Sequence, residues 1–163
     1  MLCTSPIISD MFRYWKSLDQ ANGMSKASAI DVLDMPVEHL PRIFLVDVEY
    51  GEAEPRYKFR LAGSYMYQMS GFELTGKYVD DLPLGPKHDI VVQEYVDCLA
   101  SRSYVKATHK FYIEATGKMV SMCRVLLPLT HDGQRVDRVL GVIGEICSKV
   151  EQCALEPLDL DGS

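Results

Sequence analysis

The sequence has no excess of basic residues, no long apolar run and no regular cysteine pattern, and each absence removes a class of function. Lys and Arg number 17 against 23 Asp and Glu, a formal net charge of −6. The electrostatic footprint demanded by nucleic acid is therefore missing. No apolar stretch approaches the roughly 20 residues that cross a bilayer. The opening MLCTSPIISD lacks the basic start and apolar core of a signal peptide, which points to a cytoplasmic protein. The five cysteines (Cys3, Cys98, Cys123, Cys147 and Cys153) are scattered, with no CxxC or His/Cys zinc spacing. Reduced structural thiols and no metal site are expected. The motifs GxxxxGK(S/T), GxGxxG, HExxH and GxSxG are also absent.

What is present is an average globular balance, 47% hydrophobic and 25% charged over 163 residues. One domain of this length buries roughly two-thirds of its unfolded surface and needs neither disulfide nor metal. Ser9 or Asp10 can cap a helix to about residue 21, with Asn22-Gly23 as its stop. Met11, Phe12, Trp15 and Leu18 form its apolar stripe. A short helix over 27–33 and a turn around 37–40 follow. Residues 43–48 and 57–62 read as strands joined by a turn at 51–55. Residues 64–70 read as a short helix closed by Gly71, and 72–82 as a second short turn containing Gly76. After a Pro-Leu-Gly-Pro breaker, a helix over 88–102 carries Ile90, Val91, Tyr95, Cys98 and Leu99 as its stripe. Strands over 104–113, 119–129 and 138–146 complete the order, with turns at 116–118 and 131–134. Consecutive hairpins with few crossovers predict an α+β domain, an antiparallel sheet with helices gathered on one face. The predicted divisions are a tail over 1–9, a domain over 10–150 with its leading helix at 10–22, and an acidic tail or linker stub over 151–163.

One region carries a more specific pattern. Phe59-Arg60-Leu61-Ala62-Gly63-Ser64, followed by Met69-Ser70-Gly71-Phe72-Glu73-Leu74-Thr75-Gly76-Lys77, resembles the RLxGT…GxxLTGxxxxxL signature of a bacterial PAS-like family. Tyr14-Trp15, Leu40-Pro41-Arg42-Ile43-Phe44 and Leu126-Leu127-Pro128-Leu129 are similar to that pattern too, so the resemblance spans roughly residues 10–147. Ser64 stands where Thr is usual. The resemblance implies a PAS-like sheet of about five antiparallel strands and a sensor or interaction module. Arg60, Gly63, Gly71, Thr75 and Gly76 read as architecture: glycines that accept positive φ, an arginine that pins a neighbouring segment, a threonine that caps a turn.

The expected function is regulatory and non-catalytic. A small ligand, where one binds, lies between the sheet and the short helices, lined by Phe59, Leu61, Met66, Met69, Tyr95, Cys98, His109 and Phe111. No kinase, cyclase or DNA-binding segment is recognisable after the core, so the expected output passes through a signalling partner. Met11, Phe12, Trp15 and Leu18 could cover their own sheet or form a homodimer interface. His109 falls on the apolar parity of its strand and reads first as a hydrogen-bonded core histidine, second as a haem ligand or pH-sensitive group. Cys98 lacks the Asn-Cys-Arg-Phe-Leu-Gln-like context of a flavin photoreceptor. His88-Asp89 and His131-Asp132 border breakers and read as caps and turns. Asp80-Asp81 and Glu94/Asp97 read as solvated carboxylates or caps. The basic set Arg102, Lys106, Lys110, Lys118 and Arg124 reads as the outer face of the sheet. Two alternatives stand beside this reading: a ketosteroid-isomerase-like enzyme using His109 and Tyr95, and a haem sensor using His109 or His88.

Overall fold

The computed structural model describes residues 5–113 and 117–145, apart from the side chains at 111, 113, 118, 120 and 145. Cys3, Cys147, Cys153 and the acidic tail over 151–163 lie outside the described residues, as does the Phe111 side chain.

The leading helix, α1 (Pro6–Ser17), starts earlier and stops earlier than its sequence suggests. Proline at the first helical position has its φ preset and its missing N–H unneeded. The apolar stripe thereby gains Ile7 and Ile8 ahead of Met11, Phe12 and Trp15, all five buried. Leu18 is the half-buried cap residue in extended conformation. Asn22-Gly23 is not a helix stop. With φ of 50° and 77° it is the turn of a small hairpin, β1 (Gln20–Ala21) and β2 (Met24–Ser25). Both central residues at positive φ is what the tightest hairpin turn requires. Residues 27–29 and 32–34 form two 3-10 turns where one short helix is predicted, and 37–42 forms a third at the predicted turn.

The remaining elements are β3 (Ile43–Glu49), β4 (Arg56–Ala62), α2 (Ser64–Ser70), α3 (His88–Ser101), β5 (Val105–Ile113), β6 (Lys118–Leu129) and β7 (Arg138–Glu145). The five long strands form one antiparallel sheet in the order β4-β3-β7-β6-β5. Both faces are covered, which explains the near-continuous apolar runs in β3, β6 and β7. On one face, Phe44, Val46, Phe59, Met122, Leu126, Val139 and Ile143 meet α3 and the segments after α2. On the other, Ile43, Leu45, Val125, Leu127, Leu140 and Val142 meet α1. The helices are thus not all on one face. Met11, Phe12 and Trp15 are buried on the chain's own sheet, so their apolar surface is already covered without a second copy.

The motif-like residues of α1 act as ties. Trp15 Nε1 donates to the Pro128 carbonyl at 2.8 Å, fixing α1 to β6. The Tyr14 hydroxyl bonds both backbone groups of Asp31. In β4 the register slips: Leu45 faces Leu61, whereas Val46 faces Phe59. This bulge at Arg60 changes the parity of the strand end. Leu61, predicted to line a pocket, is consequently 42% exposed on the side away from it. Arg60 reaches across to Asp47 at 3.3 Å. Gly71 and Gly76 do adopt positive φ, but Gly63 does not. Gly63 is required for close approach, since a Cβ there would lie 2.3 Å from the Pro41 carbonyl oxygen. Thr75 is not itself the cap, because its N–H and hydroxyl both donate to the Glu73 carboxylate.

Two glycines of β7 let each face close. A Cβ on Gly144 would meet Ser5 and Ile8 of the α1 segment, and one on Gly141 would fall 1.9 Å from the Phe44 ring. Gly141→Ala should therefore lower stability by about 1–3 kcal/mol through overpacking. Combined with Phe44→Leu, the loss measured by urea unfolding should be smaller than the sum of the two single losses, because the ring that clashes is gone.

Candidate functional site

Between the sheet and the segments from α2 to α3 lies a cavity of about 500 Å³. Native cores are packed as densely as organic crystals and hold few voids larger than a water molecule. This space is therefore a feature of the fold rather than slack. The sheet supplies its floor through Phe44, Phe59, His109, Met122, Arg124 and Ile143. Met66, Met69 and residues 70–72 form one wall, Val79 and residues 82–84 a second, and Val91 and Tyr95 of α3 a third. Of the predicted lining residues, Phe59, Met66, Met69, Tyr95 and His109 come together here. Leu61 does not. Cys98 is fully buried on α3 but does not line the space.

The wall is apolar except at one end, where a buried ionic cluster sits. The Glu94 carboxylate, with a side chain only 11% exposed, accepts from His109 Nε2 at 2.6 Å through one oxygen and from Arg124 through the other. The Arg124 guanidinium lies 5.7 Å from the centre of the Tyr95 ring. Burial pulls Arg124 down to about 10, so it keeps its charge at neutral pH. His109 is lowered from its usual value, first by burial and then by the positive charge of Lys87. Burial pushes the Cys98 thiol up to about 12 and holds the Tyr95 phenol well above its ordinary range. Neither forms an anion at neutral pH.

Two of these three residues overturn sequence expectations. Glu94 is not a solvated carboxylate. The stripe of α3 that actually packs is Val91, Glu94, Tyr95 and Cys98, while Ile90 is 56% exposed. A carboxylate at the i+3 position of an apolar stripe was the available signal. Nor does Arg124 belong to an outer basic face. In the β5–β6 ladder Ala107 faces Arg124 and His109 faces Met122, so Arg124 and His109 share the cavity side. Alternation hid this, because both parities of β6 are largely apolar.

The other chemical candidates separate from the cavity. Both ring nitrogens of His88 are engaged, by Asp89 and by the Asp80 carbonyl. His109 Nε2 is held by Glu94, so a histidine-ligated haem does not fit these residues. Asp80 and Asp81 pair with Arg56. In the turn that follows β6, the His131 backbone N–H donates to the Asp137 carboxylate and the Asp132 carboxylate accepts from the Gln134 N–H. Among the described residues no group of three or more His, Cys, Asp and Glu is arranged to hold a metal ion, and no helix is long and apolar enough to cross a membrane.

Removing one partner of a buried ion pair leaves the other uncompensated. Glu94→Gln should cost about 3–5 kcal/mol in denaturant unfolding, and adding Arg124→Met should recover part of that. The folded-state pKa of His109 lies below its unfolded value, so its contribution to stability is present above about pH 6.5 and lost as the pH falls through the folded value. Between about pH 8 and pH 5 the unfolding midpoint should fall more steeply for the wild type than for His109→Asn.

Solved structures with this architecture include the dark state of the blue-light photoreceptor Aureochrome1 LOV, at a TM-score of 0.53 and 11% identity, covering 74% of this chain and 86% of that one. Its light state matches at a TM-score of 0.51 and 9% identity, over 69% of this chain and 87% of that one. A light-oxygen-voltage domain studied with a flavin analogue matches at 0.50 and 13% identity, over 68% and 80%. At these identities the likeness is one of fold. No curated protein matches the chain significantly. A family model described as a PAS domain matches residues 3–144, nearly the whole described sheet and every helix packed on it, and the chain belongs to the PAS domain family.

Proposed function

We propose that the protein is a non-catalytic sensor that holds a small, largely apolar molecule between its sheet and helices and passes the occupancy of that site to a protein partner. PAS domains are sensory and regulatory modules. The observation that carries the reading is the cavity itself: about 500 Å³ with apolar walls and a single polar end. Small-molecule sites have this character, an apolar enclosure of roughly 300–1,000 Å³ with a few placed polar groups. Methionines at 66, 69 and 122 suit it further, since unbranched thioether side chains repack around guests of different shape.

Catalysis has less support. Tyr95 and Cys98 are held in their neutral forms, and the acid–base pair needed for an isomerase would have to use a histidine already bonded to Glu94. The photoreceptor neighbours lend their fold and not their chemistry. Cys98 and Cys123 are both buried, and neither lines the cavity.

Native mass spectrometry of freshly purified protein, compared with the same sample denatured, tests the proposal. Excess mass lost on denaturation is expected for the wild type. It should be absent in Ile143→Phe, which puts an aromatic ring into the cavity floor. A clean polypeptide mass, together with thermal midpoints that no small amphipathic compound raises, would overturn it.

A further inference from the structure

Most large apolar side chains are buried, and the exceptions are not evenly spread. Leu33 at 88% and Val37 at 77% are the two most exposed among the described residues, with Val32 at 40% beside them. They stand on the 3-10 turns at 32–34 and 37–42, on either side of Met35, which is buried in one cluster with the α1 stripe. This exposure is not the slack of a loose loop. The Tyr14 hydroxyl accepts from the Asp31 N–H at 3.0 Å and donates to the Asp31 carbonyl at 3.1 Å. The Asp31 carboxylate accepts from the Leu33 N–H at 2.9 Å. The Met35 N–H closes its turn on the Val32 carbonyl, and the His39 ring ties the next turn to Asp10 of α1 at 2.9 Å. A segment tied to α1 on both sides of Leu33 and Val37 presents them in a fixed arrangement. A partner then meets them without the ordering cost that a flexible loop imposes.

Charge indicates the kind of partner. Asp31, Asp34 and Glu38 are exposed in the same stretch, and no Lys or Arg falls between Lys26 and Arg42. On neighbouring α1, Arg13 bonds Asp10 and Lys16 lies over the Phe12 ring. A second copy docking through the same patch would set these carboxylates against their own kind, and a phosphate-bearing surface would be repelled. We infer that Val32, Leu33 and Val37, with Asp34 and Glu38, form a docking surface for a basic segment of a partner protein that has one apolar face. The apolar side chains of that segment cover Leu33 and Val37, and its Lys or Arg side chains meet Asp34 and Glu38. The Asp31 carboxylate keeps its bond to the Leu33 N–H. This surface is built on α1, and it stands whether or not the cavity holds a guest.

Fluorescence anisotropy on the whole chain tests it, with three labelled helical peptides that share a leucine face and carry Lys, Gln or Glu on the other. The Lys peptide should bind about tenfold or more tighter than the Glu peptide, and more weakly as salt rises from about 0.05 to 0.5 M. Leu33→Ser with Val37→Ser should weaken the Lys peptide about tenfold or more. Their urea midpoint should stay that of the wild type, because neither side chain packs in the chain's own core. Asp34→Asn with Glu38→Gln should remove the preference for Lys over Glu. Glu52→Gln with Glu54→Gln, the same change of net charge in the exposed turn after β3, should leave it intact. No binding of the Lys peptide, equal binding of the Lys and Glu peptides, or binding unchanged by the serine pair would overturn the inference. So would a midpoint lowered by the serine pair, which would assign both side chains to the fold. A wild-type dimer in sedimentation that the serine pair converts to monomer would overturn it in favour of a second copy.

Discussion

The structure depends on a sheet that is apolar on both faces. Ile43, Phe44, Leu45 and Val46 are consecutive and buried, and so are residues 125–127 and 139–140. Such strands cannot leave either face to water, since each large aliphatic side chain returned to solvent costs about 1.5–3 kcal/mol. One face is closed simply. Five apolar residues of α1 lie along it, with the Trp15–Pro128 bond fixing the helix in place and Gly144 letting it sit close. The other face is closed by short pieces: α2, the 3-10 turns and one end of α3. Short pieces do not tile a twisted sheet without gaps, and the gap that remains is the cavity.

Because the gap is a failure of tiling, the sequence shows its walls more readily than its polar end. The apolar floor follows from strand parity, which placed Phe59 and His109 correctly on the cavity side. Parity failed at Leu61 because a one-residue bulge at Arg60 inverts it, and nothing in the residues FRLA marks where a ladder slips. It also failed for β6, where both faces are apolar and alternation carries no information. The start of α1 was hidden by its own proline, which punctuates a chain as readily as it opens a helix. The hairpin at Asn22-Gly23 shows the same ambiguity, since those two residues end helices and turn strands equally well. Glu94 was misread because exposure is the ordinary fate of a carboxylate. Only its place among Val91, Tyr95 and Cys98 argued otherwise.

A buried cluster of two opposite charges and a histidine is an expensive way to join a helix to a sheet. Hydrophobic residues of similar volume commonly do so as well or better. Glu94, His109 and Arg124 tie α3 to β5 and β6 at once, with a directionality that apolar contact lacks. They also keep the cavity from collapsing. Replaced by leucine-like side chains, that end of the space would fill itself, because apolar groups pack against one another and charged groups held in a fixed bonding pattern do not.

The position of Arg124 on β6 gives this cluster a reach beyond its own face. Alternate residues of the same strand, Val125, Leu127 and Leu129, form the floor beneath α1, and Pro128 accepts the Trp15 bond. A shift of β6 at Arg124 must also move the surface on which α1 rests, because cores are too densely packed to absorb such a shift locally. Neighbouring strands cannot relay it as directly. β5 carries His109 but none of the residues buried beneath α1, while β3 and β7 lie under α1 and carry no member of the ionic cluster. Among the strands of the sheet, β6 alone joins the polar end of the cavity to the opposite face within one continuous backbone. The two faces of the sheet are therefore joined first through β6 and the helix seated on it.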